Sequence, residues 1–317
     1  MEHARTRKEP ARHIGSYRLI TRLDPSPSAG GRGGVPAPHR RFVARSTDGE
    51  RTVLLSVPLP GADPARFATE AEAARHLVGP WIAPVSDLAG PGTSPWYASP
   101  YVPSLPLPVA LAVHGGPLPE TTVRAVCAAL AEALAAAHTQ GLTHAGVLPS
   151  TVLLTADGPR LSCYGAVRAA APDGIPRTGL PGLDPGALAP EQVTGAHPRQ
   201  PGDIYGLGAV LSYAATGHTL PERDELSPAL RATVSACLAR DAANRPTAAE
   251  LTTALAPPTP HGTVLNAAGP LTPGWLPGRV IAALARQSAE LLAAELPPGH
   301  SPEPPSRSVA DTPRHRT

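Results

Sequence analysis

Polar and apolar residues alternate over Tyr17–Leu23, with β-branched positions among them, which predicts a strand. Phe42–Arg45 and Thr52–Pro58 predict two more, and Asp48-Gly49 between them is a hairpin signal. Asp63 followed by Pro64 opens a helix expected to run to about Leu77. Trp81–Leu88 and Trp96–Val102 read as two further strands. Beyond them the period lengthens to that of helices. Glu120–Gln140 sets Val126, Leu130 and Leu134 on one face, as a core helix would. Asp203–Ala215 is apolar nearly all round and predicts a buried central helix. Leu226–Arg240 and Thr247–Leu255 predict two more. Trp275–Glu295 is amphipathic, with Ile281, Leu284, Leu291 and Leu292 assigned to one side. Docking of that helix on the helical half is the expectation, and binding of a partner is the alternative.

Strands first and helices afterwards predict an α+β fold, an antiparallel sheet followed by a mostly helical half. Polar or Pro/Gly-rich stretches bound it: residues 1–14 and 297–317 read as disordered tails and 257–274 as a linker before the helix at 275–296. The 317 residues are 42% hydrophobic but only 3% aromatic, so the core is expected to be Ala, Leu and Val. A formal charge of +2 points to no nucleic-acid or membrane partner. Lys8 is the only lysine, a usage expected of a GC-rich genome. Three scattered cysteines suit a reducing compartment, and neither a signal peptide nor a membrane span is recognised, so a cytoplasmic location is expected.

The stretch Thr139–Arg168 carries the chemistry. It reads as helix end, tight loop, short strand, a turn at Asp157-Gly158, second short strand and glycine. Its frame resembles the catalytic and metal loops of bacterial, actinobacterial-like Hanks-type serine/threonine protein kinases, H-R-D-x-K-P-x-N followed by D-F-G. Three later segments match landmarks of the same family in order: Ala189-Pro-Glu191-Gln192, Asp203-Ile-Tyr-Gly-Leu-Gly208 and Cys237 through Arg245-Pro246. The resemblance covers roughly residues 15–256, with a small lobe at 15–103 and a large lobe at 104–256.

The residues that perform phosphoryl transfer in that family are missing here. Aligned on the motifs, the phosphate-binding Lys is Ser56, the catalytic Asp is Gly146, and the metal-binding Asn and Asp are Thr151 and Cys163. Ala145 replaces the loop Arg that would bind a phosphothreonine. Cysteine is a poor magnesium ligand, so no metal is expected. Arg41, Arg45 and Arg51 are candidate substitutes for the lysine, although substitution is not the expectation. Glu70 matches the helix Glu that pairs with that lysine; as a plain helix carboxylate it would be solvated. Gly31 and Gly33 lie in a stretched loop, read as a surface loop rather than a phosphate cradle. With Ser56, Glu70, Tyr101 and Val102 they outline a candidate nucleotide pocket, in which Pro100 has removed one backbone donor. Cys163 is read as a buried, inert thiol, or as a redox-sensitive one if exposed. His144, Glu191, Asp203 and Arg245 match the residues that brace the large lobe.

The resemblance therefore implies a pseudokinase: a protein-binding scaffold or allosteric partner, with an active kinase or other signalling protein as the candidate partner. The alternatives are a divergent serine/threonine kinase with weak activity and a metal-independent nucleotide sensor. No cofactor is expected; ATP is left open.

Overall fold

Alternation along the first half of the chain becomes one curled antiparallel sheet. In the computed structural model, which describes residues 13–24, 35–222, 224–255, 271 and 273–295, its strands are β1 (His13–Ile14), β2 (Tyr17–Arg22), β3 (His39–Ser46), β4 (Thr52–Pro58), β5 (Asp87–Leu88) and β6 (Tyr97–Pro100). Their order is β1-β2-β3-β4-β6-β5, and each neighbouring pair is antiparallel. Pairing begins at His13, inside the stretch read as a tail. Tyr17, Ala44, Val53, Leu55, Val57, Trp96 and Ala98 form the core on one face of this sheet.

Helix α1 (Pro64–Ala74) follows β4 and ends short of the expected Leu77. The Asp63 carboxylate caps it by accepting from the Ala65 and Arg66 amides. The strand expected over Trp81–Leu88 survives only as β5. Pro84 cannot donate to a ladder. Trp81 and Ile82 turn away instead and join the core of the large lobe.

A second, three-stranded sheet is made of β7 (Ser104–Pro106), β8 (Val152–Thr155) and β9 (Pro159–Leu161). The helices of this half are α2 (Leu107–His114), α3 (Glu120–Thr139), α4 (Ala166–Ala170), α5 (Pro190–Val193), α6 (Gln200–Thr216), α7 (Pro228–Cys237), α8 (Ala248–Leu255) and α9 (Gly278–Glu295). Val126, Leu130 and Leu134 of α3 are fully buried, as their spacing requires. Helix α6 is buried nearly all round. The α+β fold stands as the pattern predicted, in the two lobes that the kinase resemblance implied.

Helix α9 docks on the large lobe with only part of the face assigned to it: Leu284 and Leu291 are buried, with Val280 and Ala283, while Ile281 and Leu292 are exposed. Polar contacts fix its phase: the Gln287 side chain accepts from the Ser104 amide, and the Trp275 indole just before the helix donates to the Ala156 carbonyl. No helix among the described residues is long and apolar enough to cross a membrane.

Candidate functional site

The loop between α3 and β8 meets the loop after β9 at the junction of the two lobes. The Gly165 amide donates to the His144 carbonyl and the Val167 amide to the Ala145 carbonyl, both at 2.8 Å. Ala145 (φ 50°) and Cys163 (φ 61°) take left-handed backbone, a region that costs a non-glycine residue ~1–2 kcal/mol. Surrounding bonds hold them there. Asp203 of α6 accepts from the His144 and Ala145 amides, each at 2.7 Å, and from His138 Nε2 at 3.0 Å.

At Gly146 the approach of the two loops leaves no room for a side chain: an added Cβ would run into the Cys163 carbonyl oxygen. Thr151 is sealed in, and its hydroxyl is spent locally, accepting from the Leu148 amide and donating to the Gly146 carbonyl. Cys163 is buried, and that burial pushes its thiol up despite nearby Arg41. A hydroxyl tied to its own loop and a protonated thiol are poor partners for magnesium. Among the described residues no group of three or more His, Cys, Asp or Glu side chains is placed to hold a metal.

Ser56 lies on β4 between Arg41 of β3 and Tyr97 of β6, its partners in register. Arg41 provides the cation of the cleft. It is fully buried, and its guanidinium pairs with Asp24, the Nε–Oδ2 bond being 3.1 Å. It also donates to the Ser150 carbonyl at 2.8 Å and to the Ser162 hydroxyl at 3.2 Å. Burial works against the charged form, but the charge of Asp24, the bond to it and smaller contributions from neighbouring groups together outweigh it, so Arg41 stays protonated. A single side chain thus reaches from the small lobe into both degenerate loops.

A strap just ahead of β3 reinforces this closure. The Ser150 hydroxyl donates to the Pro36 carbonyl at 2.7 Å, and Ala37 and Pro38 pack so closely over Gly182 that a Cβ there would strike them. Leu23, Leu54 and Leu153 form an apolar cluster across the cleft. Among Ser56, Tyr97, His144 and Cys163 the remaining space is ≈10 Å³, about one water. A more open cavity of ≈330 Å³ lies at the connection between the lobes, lined by Leu54, Ser99, Pro100, Val102 and Leu153 and extending back to Pro80 and Arg160. The Tyr101 amide is used by the Thr52 carbonyl, and Val102 is exposed. Gly31 and Gly33 fall outside the described residues.

Glu70 is neither solvated nor paired with a lysine. Its carboxylate binds Arg168 at 2.8–2.9 Å, with both side chains largely buried, and a Cβ at Gly165 would collide with it. His144 is buried against the edge of Tyr164, with ring centroids 5.6 Å apart. Neither ring nitrogen has a hydrogen-bond partner. Burial lowers its pKa to about 4, so the ring is neutral.

The brace of the large lobe is complete. Arg245 grips Glu191 with two bonds of 2.6 and 2.8 Å, donates to the Ala239, Pro201 and Arg240 carbonyls, and lies over the Tyr205 ring at 5.1 Å. Burial raises the Glu191 carboxyl, but the bonds from Arg245 and its own amide outweigh this and hold it below the usual range. Arg177 adds a second clamp on the segment after Cys163. It is fully buried and donates to the carbonyls of Val167, Gln192, Ala196 and Ala171. Thr178 beside it is exposed.

Motif spacing misses Asp24, Arg168 and Arg177 as working residues and leaves Arg41 as one of three candidate substitutes for the lysine. For Arg41 a signal exists: alternation along β3 puts His39, Arg41 and Val43 on one face, and all three are buried.

No protein-family model matches the chain. Curated relatives do. It is 36% identical over 265 residues to the probable serine/threonine-protein kinase PkwA of Thermomonospora curvata, an alignment covering 77% of this chain and 34% of that protein. It is 32% identical over 303 residues to the serine/threonine-protein kinase AfsK of Streptomyces coelicolor, covering 87% of this chain and 36% of AfsK. With AfsK of Streptomyces griseus the identity is 32% over 328 residues, covering 94% and 38%. The chain thus spans about a third of the length of these relatives. On fold and sequence together, it is a homologue of bacterial Hanks-type serine/threonine protein kinases and has their two-lobed architecture.

Proposed function

We propose that the chain is a catalytically impaired kinase-like module that works by binding protein, as a scaffold or allosteric partner in signalling. The observation that carries this reading is the Arg41–Asp24 pair seated between the two loops where phosphate and metal would have to sit. Phosphoryl transfer depends on positioning and on neutralising charge. Here the fixed positive charge is already neutralised from within, and the loop that would hold a catalytic carboxylate has no space for one. The clamps on Glu191, Asp203 and the segment around Arg177 preserve a rigid surface while the chemistry is gone. An active kinase or another signalling protein is the partner class this reading favours.

The ≈330 Å³ cavity beside Pro100 and Val102 supports a second reading, a nucleotide sensor that works without metal, because its apolar walls suit a flat ring. Thermal unfolding with millimolar ATP, with and without magnesium, separates the readings. A ligand at 100 times its dissociation constant stabilises by about 2.7 kcal/mol. The expected outcome is no shift in either condition. A shift without magnesium selects the sensor. A shift that requires magnesium overturns the impaired-module reading and favours a divergent kinase.

A further inference from the structure

A cavity of ≈190 Å³ lies at the front of the molecule, apart from the cleft floor, and no role has been assigned to it. Its roof is Pro38 and the turn after β4; its back is Phe67 of α1; its floor is the small side chains of α4 and the segment at Leu180 and Leu183. Both lobes contribute walls. The volume exceeds that of an apolar cavity known to take benzene.

Two side chains of the wall define the ligand's chemistry. Asp63, the one carboxylate among the described residues of the lining, is exposed and bonds the α1 amides through Oδ1, so no buried charge in the wall would pair with a charged ligand. His39 is only 5% exposed. Its Nδ1 meets the Tyr97 hydroxyl at 3.2 Å and its ring stands edge-on to Phe67. Its Nε2 has no protein partner among the described residues, yet it is not among the fully sealed polar atoms. His39 lines this cavity. Burial and the charge of Arg41 lower the His39 pKa to about 3, so the ring is neutral and offers one hydrogen bond rather than a charge.

We propose that this cavity between the lobes is a binding site for a small, flat, uncharged apolar molecule with one polar group, which hydrogen-bonds to His39 Nε2. A ligand there touches α1, α4 and the segment after Cys163 together, and so reports to the same surface that Arg177 holds in place. The site does not depend on whether the cleft accepts a nucleotide.

The test uses the full chain with methyl-labelled leucine, titrated with phenol and with benzene. Leu59, Leu180 and Leu183 line the cavity, so their methyl resonances are expected to shift saturably. Phenol is expected to bind about five-fold more tightly than benzene, the effect of one net hydrogen bond. In Ala170→Leu, which fills the cavity from a half-buried position, both shifts are expected to vanish while the other methyl resonances stay in place. In His39→Phe the two probes are expected to bind equally. No saturable shift in the native chain, shifts that persist in the filled variant, or equal binding of phenol and benzene by the native chain would each overturn the proposal.

Discussion

Two buried arginines mark two regions that use the same side chain in different ways. Arg245 holds Glu191 within the large lobe, where every donor goes to a carboxylate or a backbone carbonyl of that lobe. Arg41 instead crosses from the small lobe to the two degenerate loops and brings Asp24 with it. In the first region the residues that shape the fold match the family landmarks. In the second, the groups that would handle phosphate and magnesium are replaced by groups that satisfy one another. The difference shows that a buried guanidinium can close the cleft from within as well as brace the large lobe, provided a carboxylate is paired with it. A buried guanidinium without its carboxylate would be untenable.

The sharpest way to break this comparison is to remove one half of the cleft pair. Arg41→Ala leaves the Asp24 carboxylate buried without a cation and is expected to cost about 3–5 kcal/mol, read as a lower urea midpoint. The double variant Asp24→Leu/Arg41→Met replaces the pair with apolar groups and is expected to recover most of that loss. A single-variant cost below about 1 kcal/mol would show that the pair is not the keystone of the cleft.

His144 belongs to both regions, since its amide is held by Asp203 and its ring borders the cleft. Its folded pKa of about 4 lies below the unfolded value near 6.5, so the unfolded chain binds the proton more readily. Stability is therefore fully present above pH 6.5 and lost as pH falls toward 4, by about 3 kcal/mol in total. His39, lowered to about 3, contributes in the same direction. Because neither nitrogen of His144 has a partner, His144→Phe is expected to keep or raise stability at neutral pH and to flatten the slope between pH 6.5 and 4. An unchanged slope would mean that the ring is hydrated in solution.

What could be read from the sequence follows from the kind of signal each feature leaves. Ser56, Gly146, Thr151 and Cys163 were legible as positions because the turns and apolar residues around them keep their spacing. Glu191, Asp203 and Arg245 were legible for the same reason. Arg41 was legible only as one of three candidate cations, because its role depends on register: it stands opposite Ser56, fifteen residues on, and reaches loops more than a hundred residues away. Arg168 was invisible as the partner of Glu70 because no local pattern links residues 98 apart. The phase of α9 was misjudged at Ile281 and Leu292 because a helix rich in Ala and Leu offers more than one apolar stripe. Only the contacts of Gln287 and Trp275 choose between them.

The smallest expected effect tests the other side of the comparison. Glu191→Gln keeps the shape of the brace and removes its charge, while Arg245 retains three backbone carbonyls as acceptors. A third of the Glu191 side chain is exposed, so the loss is expected to be about 1–2 kcal/mol, below that of Arg41→Ala. The carboxyl is held below its ordinary value in the folded chain, so its contribution is present at neutral pH and disappears as pH falls through that depressed value. The native and Glu191→Gln stability curves are therefore expected to differ at pH 7 and to converge in acid. Curves that stay parallel down to the lowest pH would mean that the pair contributes by shape rather than by charge. The brace would then differ from the Arg41 cleft pair in kind and not only in magnitude.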